Sequence, residues 1–278
     1  YIKQRAKGTT IVGLRKEDLT GFEIPLFPIS EQRAIVAKIE ELFSDLDKGV
    51  ADLKKAQDQL KVYRQAVLKK AFEGDWEIKL LDEVAKWGSG GTPSRSNKRF
   101  YSGNIPWIKT GELGDKYISS SEEKITDEAI KKSSAKIFPP GSVAIAMYGA
   151  TIGKTSIFSN YLSTNQACAV GQPIDGMVSE YLYYYLLSQK MDFINKGKGG
   201  AQPNISQTIL KKHPIPVPLK EQQVKIIQMV ESRLSICDKV GNYITESLEK
   251  AEALRQSILK KAFEGNLLST KEIEKCKT

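Results

Sequence analysis

Few side chains in this sequence could carry covalent chemistry. His213 is the one histidine among 278 residues, so any triad of the serine-hydrolase kind would have to use it as base. It stands in Lys211-Lys212-His213-Pro214-Ile215-Pro216, a basic, proline-rich stretch that reads as a strand. A histidine-rich metal centre is excluded. Cys168, Cys237 and Cys276 are odd in number and far apart, which argues against a disulfide framework and against structural zinc. Gly149-Ala150-Thr151-Ile152-Gly153-Lys154-Thr155 invites comparison with a nucleotide phosphate loop. It has three residues, not four, between its first glycine and Gly-Lys-Thr, so a tight turn after a strand is the better reading. The sequence has no Asn/Asp-Pro-Pro-Tyr/Phe tetrapeptide, the device with which amino-methylases hold a target amine. Nuclease chemistry needs carboxylates gathered around a metal. The acids here fall at 112–128 and 175–192, on stretches that read as solvated surface. A protein that binds rather than catalyses is the expectation.

Positive charge is what the sequence concentrates. Lys and Arg total 42 against 33 Asp and Glu, a formal charge of +9, which favours a polyanionic partner, nucleic acid first. Three windows carry cations without a single acid: Lys86, Arg95, Lys98, Arg99 and Lys109 between Val84 and Gly111; Lys131, Lys132, Lys136 and Lys154 between Ala129 and Ile174; Lys196, Lys198, Lys211, Lys212 and Lys220 after Phe193. The same windows hold the glycine-rich segments Trp87–Ser94, Gly149–Lys154 and Lys196–Asn204. Glycine lets backbone approach a ligand closely, and Lys and Arg neutralise phosphates. Solvated loops with no partner would show the same composition, but three such loops on one domain weigh toward a DNA cleft.

An internal repeat sets the elements that position these loops. Gln65-Ala66-Val67-Leu68-Lys69-Lys70-Ala71-Phe72-Glu73-Gly74 returns 191 residues later as Gln256-Ser257-Ile258-Leu259-Lys260-Lys261-Ala262-Phe263-Glu264-Gly265. Arg64 matches Arg255, Asp47 matches Asp238, Glu40 matches Glu231, and Ile24-Pro25 matches Ile215-Pro216. A period this long means a duplicated domain-plus-helix unit, not a solenoid. Both repeated segments show a four-three apolar rhythm: Ile39, Phe43, Leu46, Val50, Leu53, Gln57, Leu60, Arg64, Val67, Ala71 in the first, and Val230, Leu234, Cys237, Gly241, Ile244, Leu248, Ala251, Arg255, Ile258, Ala262 in the second. That spacing predicts a left-handed coiled coil of two helices of roughly 40 residues, each about 60 Å long. Two core helices of one bundle are the competing reading. Antiparallel pairing is favoured, although topology alone leaves the direction open. Lys69-Lys70 and Lys260-Lys261 suit the negative helix ends, and Gly74 and Gly265 are the expected stops.

Between these helices, Ile105–Ile108, Val143–Tyr148 and Ala167–Val170 read as strands, and Ser179–Leu187 as a helix with an apolar face. Residues 75–218 are therefore expected to form a mixed α/β domain. No run approaches the roughly 18 apolar residues of a membrane helix. The start, Tyr1-Ile2-Lys3-Gln4-Arg5, has no signal-peptide core, so a cytoplasmic location is expected.

The combined motifs resemble the specificity subunits of type I restriction–modification systems. The resemblance rests on Leu81–Ser94, Ile105-Pro106-Trp107-Ile108, Pro140-Gly141-Ser142-Val143, Gly149–Lys154 and Thr164-Asn165-Gln166-Ala167-Cys168. It continues through Gln202-Pro203-Asn204-Ile205-Ser206, Ile215-Pro216-Val217-Pro218 and Glu221-Gln222. It implies a mixed α/β target recognition domain and two long antiparallel spacer helices. It further implies no catalysis in this chain and the reading of a bipartite DNA site. Separate modification subunits would bring S-adenosylmethionine, and separate restriction subunits would bring ATP, Mg and translocation. On this reading residues 1–28 are the tail of a first recognition domain and 29–74 the first spacer helix. Residues 75–218 are a complete recognition domain, 219–265 the second helix and 266–278 a tail. Only one recognition domain is complete, so a second copy of the chain is an expected partner, restoring two heads on a palindromic site. Longer spacer helices would then widen the gap between half-sites.

Residues Gly90, Thr92, Gly149, Gln202 and Asn204 follow the family pattern and are expected to shape the domain or touch phosphate. Less patterned positions are the candidates for base contact: Arg95, Asn97, Lys98, Arg99, Lys109, Tyr148, Thr151 and Lys198. Lys154 and Lys196 are expected on phosphates. A coiled-coil scaffold whose middle domain binds protein is the rival reading, and sequence-selective duplex binding separates the two.

Overall fold

In a computed structural model, residues 24–174, 176–197 and 204–276 are described. The chain divides into two compact units, one of Tyr1–Gln59 with Val240–Thr278 and one of Leu60–Lys239.

Two long helices thread both units. α1 is Ile29–Ala71, 43 residues. The other, of 44 residues, is Lys220–Phe263. Every position of the four-three seam is sheltered, and the positions between are mostly exposed, as a narrow apolar stripe requires. In the first unit Ile35 packs with Ala262 and Leu268, while Arg255 reaches Asp47 and lies 4.6 Å over the Phe43 ring. In the second, Arg64 reaches Asp238, and Leu68 shares a core with Ile227 and Val230. In each unit rising numbers on one helix meet falling numbers on the other, so the pairing is antiparallel. The repeat explains the ion pairs: Asp47 and Asp238 are equivalent, as are Arg64 and Arg255, so each unit builds the same Asp–Arg bridge. Gly265 ends its helix at φ +75°, the left-handed stop expected. Gly74 is not among the residues with positive φ. A Cβ there would lie 2.2 Å from the Trp76 indole, so Gly74 makes room for a ring instead.

The α/β domain of the second unit follows α1 with β1 (Ile78–Leu80), α2 (Leu81–Val84), β2 (Ala85–Ser89), β3 (Ile105–Ile108), β4 (Tyr117–Ile118) and β5 (Lys124–Ile125). Then come α3 (Asp127–Lys131), β6 (Ile137–Phe138), β7 (Val143–Ala146), β8 (Thr155–Phe158), β9 (Leu162–Thr164) and β10 (Cys168–Pro173). α4 (Ser179–Ser188), α5 (Lys190–Lys196), α6 (Gln207–Lys211) and β11 (Pro214–Pro216) lead to α7, the 44-residue helix, and α8 (Thr270–Lys275) closes the chain. A five-stranded sheet runs β2-β10-β7-β8-β4 and a four-stranded sheet β5-β3-β9-β6, with β1 paired to β11. The fully buried runs of β7 and β8 carry no alternation because both faces are covered.

The seat of this domain on the helices is aromatic. Phe72, just past the end of α1, meets Tyr181 at 5.1 Å and Tyr185 at 5.2 Å between ring centroids, both edge-on. Tyr181 and Tyr185 donate to the Pro216 and Pro214 carbonyls of β11. Lys116 crosses to Glu231 of α7 and lies over Tyr117 and Tyr184. Burial opposes its charge, but the Glu231 hydrogen bond prevails and raises its pKa.

His213 is 4% exposed, packed against Phe193 and Tyr185. Burial first, and Lys196 second, hold its pKa down at about 4, so the ring is neutral near pH 7. Its Nδ1 sits 3.3 Å from Lys196 Nζ, and its Nε2 is buried without a hydrogen-bond partner.

Candidate nucleic-acid interface

The glycine-rich segment after β2 is stapled to the four-stranded sheet. Gly91 N–H donates to the Thr164 carbonyl at 2.9 Å, and the Trp107 indole N–H donates to the Gly91 carbonyl at 2.9 Å. A Cβ on Gly90 would stand 2.0 Å from the Thr164 carbonyl oxygen, which no side chain tolerates. Thr92 donates to Gln166, and Tyr101 donates to the Pro93 carbonyl at 2.6 Å. The patterned residues of this loop thus pack closely and hold its shape.

The loop delivers Arg95 to an aromatic platform. Its guanidinium lies 4.3 Å from the Tyr101 ring centre and 4.9 Å from that of Trp107, and the two rings meet edge-on at 5.9 Å. Asn97 is occupied as a cap: its side-chain oxygen accepts the Arg99 backbone N–H at 3.2 Å, starting the 3-10 turn Lys98–Tyr101. Lys98 and Arg99 are exposed on that turn and make no salt bridge among the described residues. Here the structure corrects the linear reading of charge. The window between Val84 and Gly111 has no acid of its own, yet β3 pairs antiparallel with β5 and brings acids from further along the chain. Arg95 bridges to Glu123 through both terminal nitrogens. Lys109 Nζ is 3.0 Å from Glu123 and 3.2 Å from Glu122. Arg95 and Lys109 are therefore neutralised in place, by the partly sheltered Glu123 and by Glu122, whose side chain stays 80% exposed. Hydrogen bonds from Arg95, then Lys109, hold the Glu123 carboxyl below the usual range, and the same bonds raise both cations.

A second group adjoins the first through the turn Thr110–Glu112. Glu112 accepts the Lys109 backbone N–H at 2.7 Å and that of Glu122 at 2.8 Å. Lys154 Nζ donates to the Gly111 carbonyl at 3.2 Å. Gly149–Thr151 form a 3-10 turn that leads through Gly153, at φ +78°, into strand β8. A phosphate loop would lead into a helix, so the turn reading stands. Thr151 donates to the Tyr148 carbonyl, and the half-exposed Tyr148 pairs through its backbone with Asn204. Arg95, Asn97, Lys98, Arg99 and Lys109 thus form one group. Tyr148, Thr151, Lys154 and Asn204 form another, and the Gly111 carbonyl ties the two. Lys196 joins neither: it pairs with Asp192 at 2.6 Å and with His213. Lys198 and Gln202 lie outside the described residues. Among the described residues no cluster of His, Cys, Asp and Glu could hold a metal ion, and no helix is long and apolar enough to cross a membrane.

The profile of the family described as "Type I restriction modification DNA specificity domain" matches residues 73–250. The chain is 32% identical over 234 residues to the EcoR124I/EcoR124II specificity subunit of Escherichia coli, covering 82% of this chain and 56% of that protein. It is 38% identical over 157 residues to the MjaIX specificity subunit of Methanocaldococcus jannaschii, covering 55% of this chain and 36% of that one. Among solved structures, one on complex assembly and conformational transition of the type I R-M system contains a chain that superposes with a TM-score of 0.78 at 25% identity. That match covers 94% of this chain and 66% of its counterpart. The HsdS subunit from Thermoanaerobacter tengcongensis gives 0.60 at 25% identity, covering 95% and 66%. The chain thus spans from about a third to two thirds of the length of these relatives.

Proposed function

The chain belongs to the family of type I restriction–modification DNA specificity domains, and from that premise we propose that it is the non-catalytic DNA-reading part of such a system. It would direct modification and restriction subunits, which carry S-adenosylmethionine, ATP and Mg, to a target sequence in the cytoplasm. The observation that carries this reading is the continuous loop surface from Arg95 through Lys109 and Gly111 to Lys154, Tyr148 and Asn204. Its backbone is fixed by glycine packing, and it presents Lys98 and Arg99 exposed, with no salt bridge among the described residues. A shaped backbone sets register on the phosphates, and planar or amide side chains read base edges. The test is competition binding of the chain with its modification subunits to cognate and scrambled duplexes across a salt series. Specific binding, with affinity falling steeply as salt rises, supports the proposal; equal affinity for both duplexes refutes it.

A second copy completes the reader. What supports this is an imbalance between repeat-equivalent positions. Phe72, Ile227 and Ile215 are 8%, 8% and 0% exposed beneath the recognition domain, whereas Phe263, Val36 and Ile24 are 62%, 52% and 70% exposed. Among the described residues, the same apolar positions thus recur in the first unit exposed. A second chain docking a like domain there would cover them, at the cost of ordering two chains. Light scattering should give a dimer for the wild type and a monomer for Val36→Glu; a monomeric wild type refutes it.

A further inference from the structure

Resting on the DNA-reading proposal, we infer that Glu123 is a positioning residue that fixes Arg95 and Lys109 as base-edge readers and withholds them from phosphates. Isolated exposed ion pairs stabilise little, but networks and two-point guanidinium–carboxylate pairs are the exception. Both features occur here. Glu123 accepts from both terminal nitrogens of Arg95 and also from Lys109. Its own backbone is tied to β3, since the Trp107 N–H donates to the Glu123 carbonyl at 3.0 Å. Behind the guanidinium stand Tyr101 and Trp107. One edge of the guanidinium is therefore held by the carboxylate, and both rings pack against it.

Of the five guanidinium N–H donors, two point at Glu123 and three remain. The side chain is half-exposed, at 53%, so those three donors can meet a ligand. A plane held by stacking and by a carboxylate has already lost its rotamer freedom, so a bidentate contact to guanine O6 and N7 orders nothing further. The charge balance decides what such a group can do. Arg95 and Lys109 face Glu122 and Glu123, two cations against two anions. A phosphate approaching this cluster gains no net attraction and meets two carboxylates. A base edge, which is uncharged, pays no such penalty. The acids thus convert the most cation-rich end of the loop surface from a general anion site into a selective one. Lys154, beyond the adjoining turn, supplies a phosphate contact instead.

The test is a double-mutant cycle in the complex with modification subunits, using a duplex bearing the motif methylated by the wild type and a scrambled one. Glu123→Gln should raise affinity for the scrambled duplex and lower the cognate-to-scrambled ratio about tenfold or more, with a steeper salt dependence. In an Arg95→Ala background the same substitution should move the ratio less, because the part of its effect that runs through the arginine is gone. Arg95→Lys keeps the charge but not the planar fork, and should lower the ratio without weakening scrambled binding; this variant decides the matter should Glu123→Gln fold poorly. A ratio unmoved by Glu123→Gln or by Arg95→Lys overturns the inference, as does a Glu123→Gln effect of equal size with and without Arg95. Loss of discrimination by the wild type itself would instead overturn the DNA-reading proposal.

Discussion

Truncating Phe72 and its repeat equivalent Phe263 gives two chemically identical lesions with different expected costs. Phe72 is buried against two tyrosine rings that are themselves anchored to β11. Removing its ring loses the transfer energy, leaves a cavity the rigid tyrosines cannot fill, and forfeits two edge contacts. Core Phe→Ala changes of this kind cost about 3–5 kcal/mol. Phe263 is mostly exposed within the single chain, so at a dilution where the chain is monomeric its truncation leaves no cavity and costs about 1 kcal/mol or less. Trp76, Trp87 and Trp107, the three tryptophans, all lie within Leu60–Lys239, so their fluorescence follows that unit. With a urea slope of about 2–3 kcal/mol/M, Phe72→Ala should lower the midpoint by about 1.5 M, and Phe263→Ala should barely move it. Equal shifts, or a Phe72 shift within error, would refute the idea that this ring seats the recognition domain on the rod.

Three further outcomes are expected. His213 takes up a proton only near pH 4 when folded but near 6.5 when unfolded, so unfolding binds a proton between these values and stability falls as pH drops through that window. The loss approaches about 3 kcal/mol at its lower end, and His213→Gln should remove that part of the pH dependence in melting curves between pH 7 and 4.5. Gly90→Ala forces a Cβ against the Thr164 carbonyl; it should destabilise the domain by about 1–3 kcal/mol and disrupt binding to all duplexes, as thermal melting and anisotropy will show. Arg99→Ala should relax or abolish specific binding, whereas Lys154→Ala should weaken cognate and scrambled duplexes alike, so identical behaviour in a salt series would contradict their separate roles.

The rods were legible because their signal is local: a four-three rhythm fixes one helix face whatever the rest of the chain does. The repeat added the Asp47–Arg255 and Arg64–Asp238 bridges, since antiparallel pairing of duplicated helices sets each Asp against the other copy's Arg. The family pattern left open whether Gly90 and Thr92 shape the domain or touch phosphate; their close packing is visible only in the fold. The charge state of Arg95 and Lys109 was not. Their partners lie 28 and 14 residues away, and only the β3–β5 pairing of Ile105 with Ile125 brings them close. Lys196 could have been read as the i+4 partner of Asp192. Its approach to His213, by contrast, depends on how α5 folds back onto the segment before β11. Asn97 carried a turn signal of its own, an Asn just before a polar run, and its side-chain oxygen caps that turn.

Co-expression of this chain with type I modification subunits, in a host without other such systems, followed by genome-wide mapping of modified adenines, probes the proposed DNA-reading surface directly. A single recurring motif, changed when the 88–99 and 109–112 loops are exchanged for those of a relative with a different target, is the expected result. Modification without any recurring motif, or a motif indifferent to those loops, would contradict it.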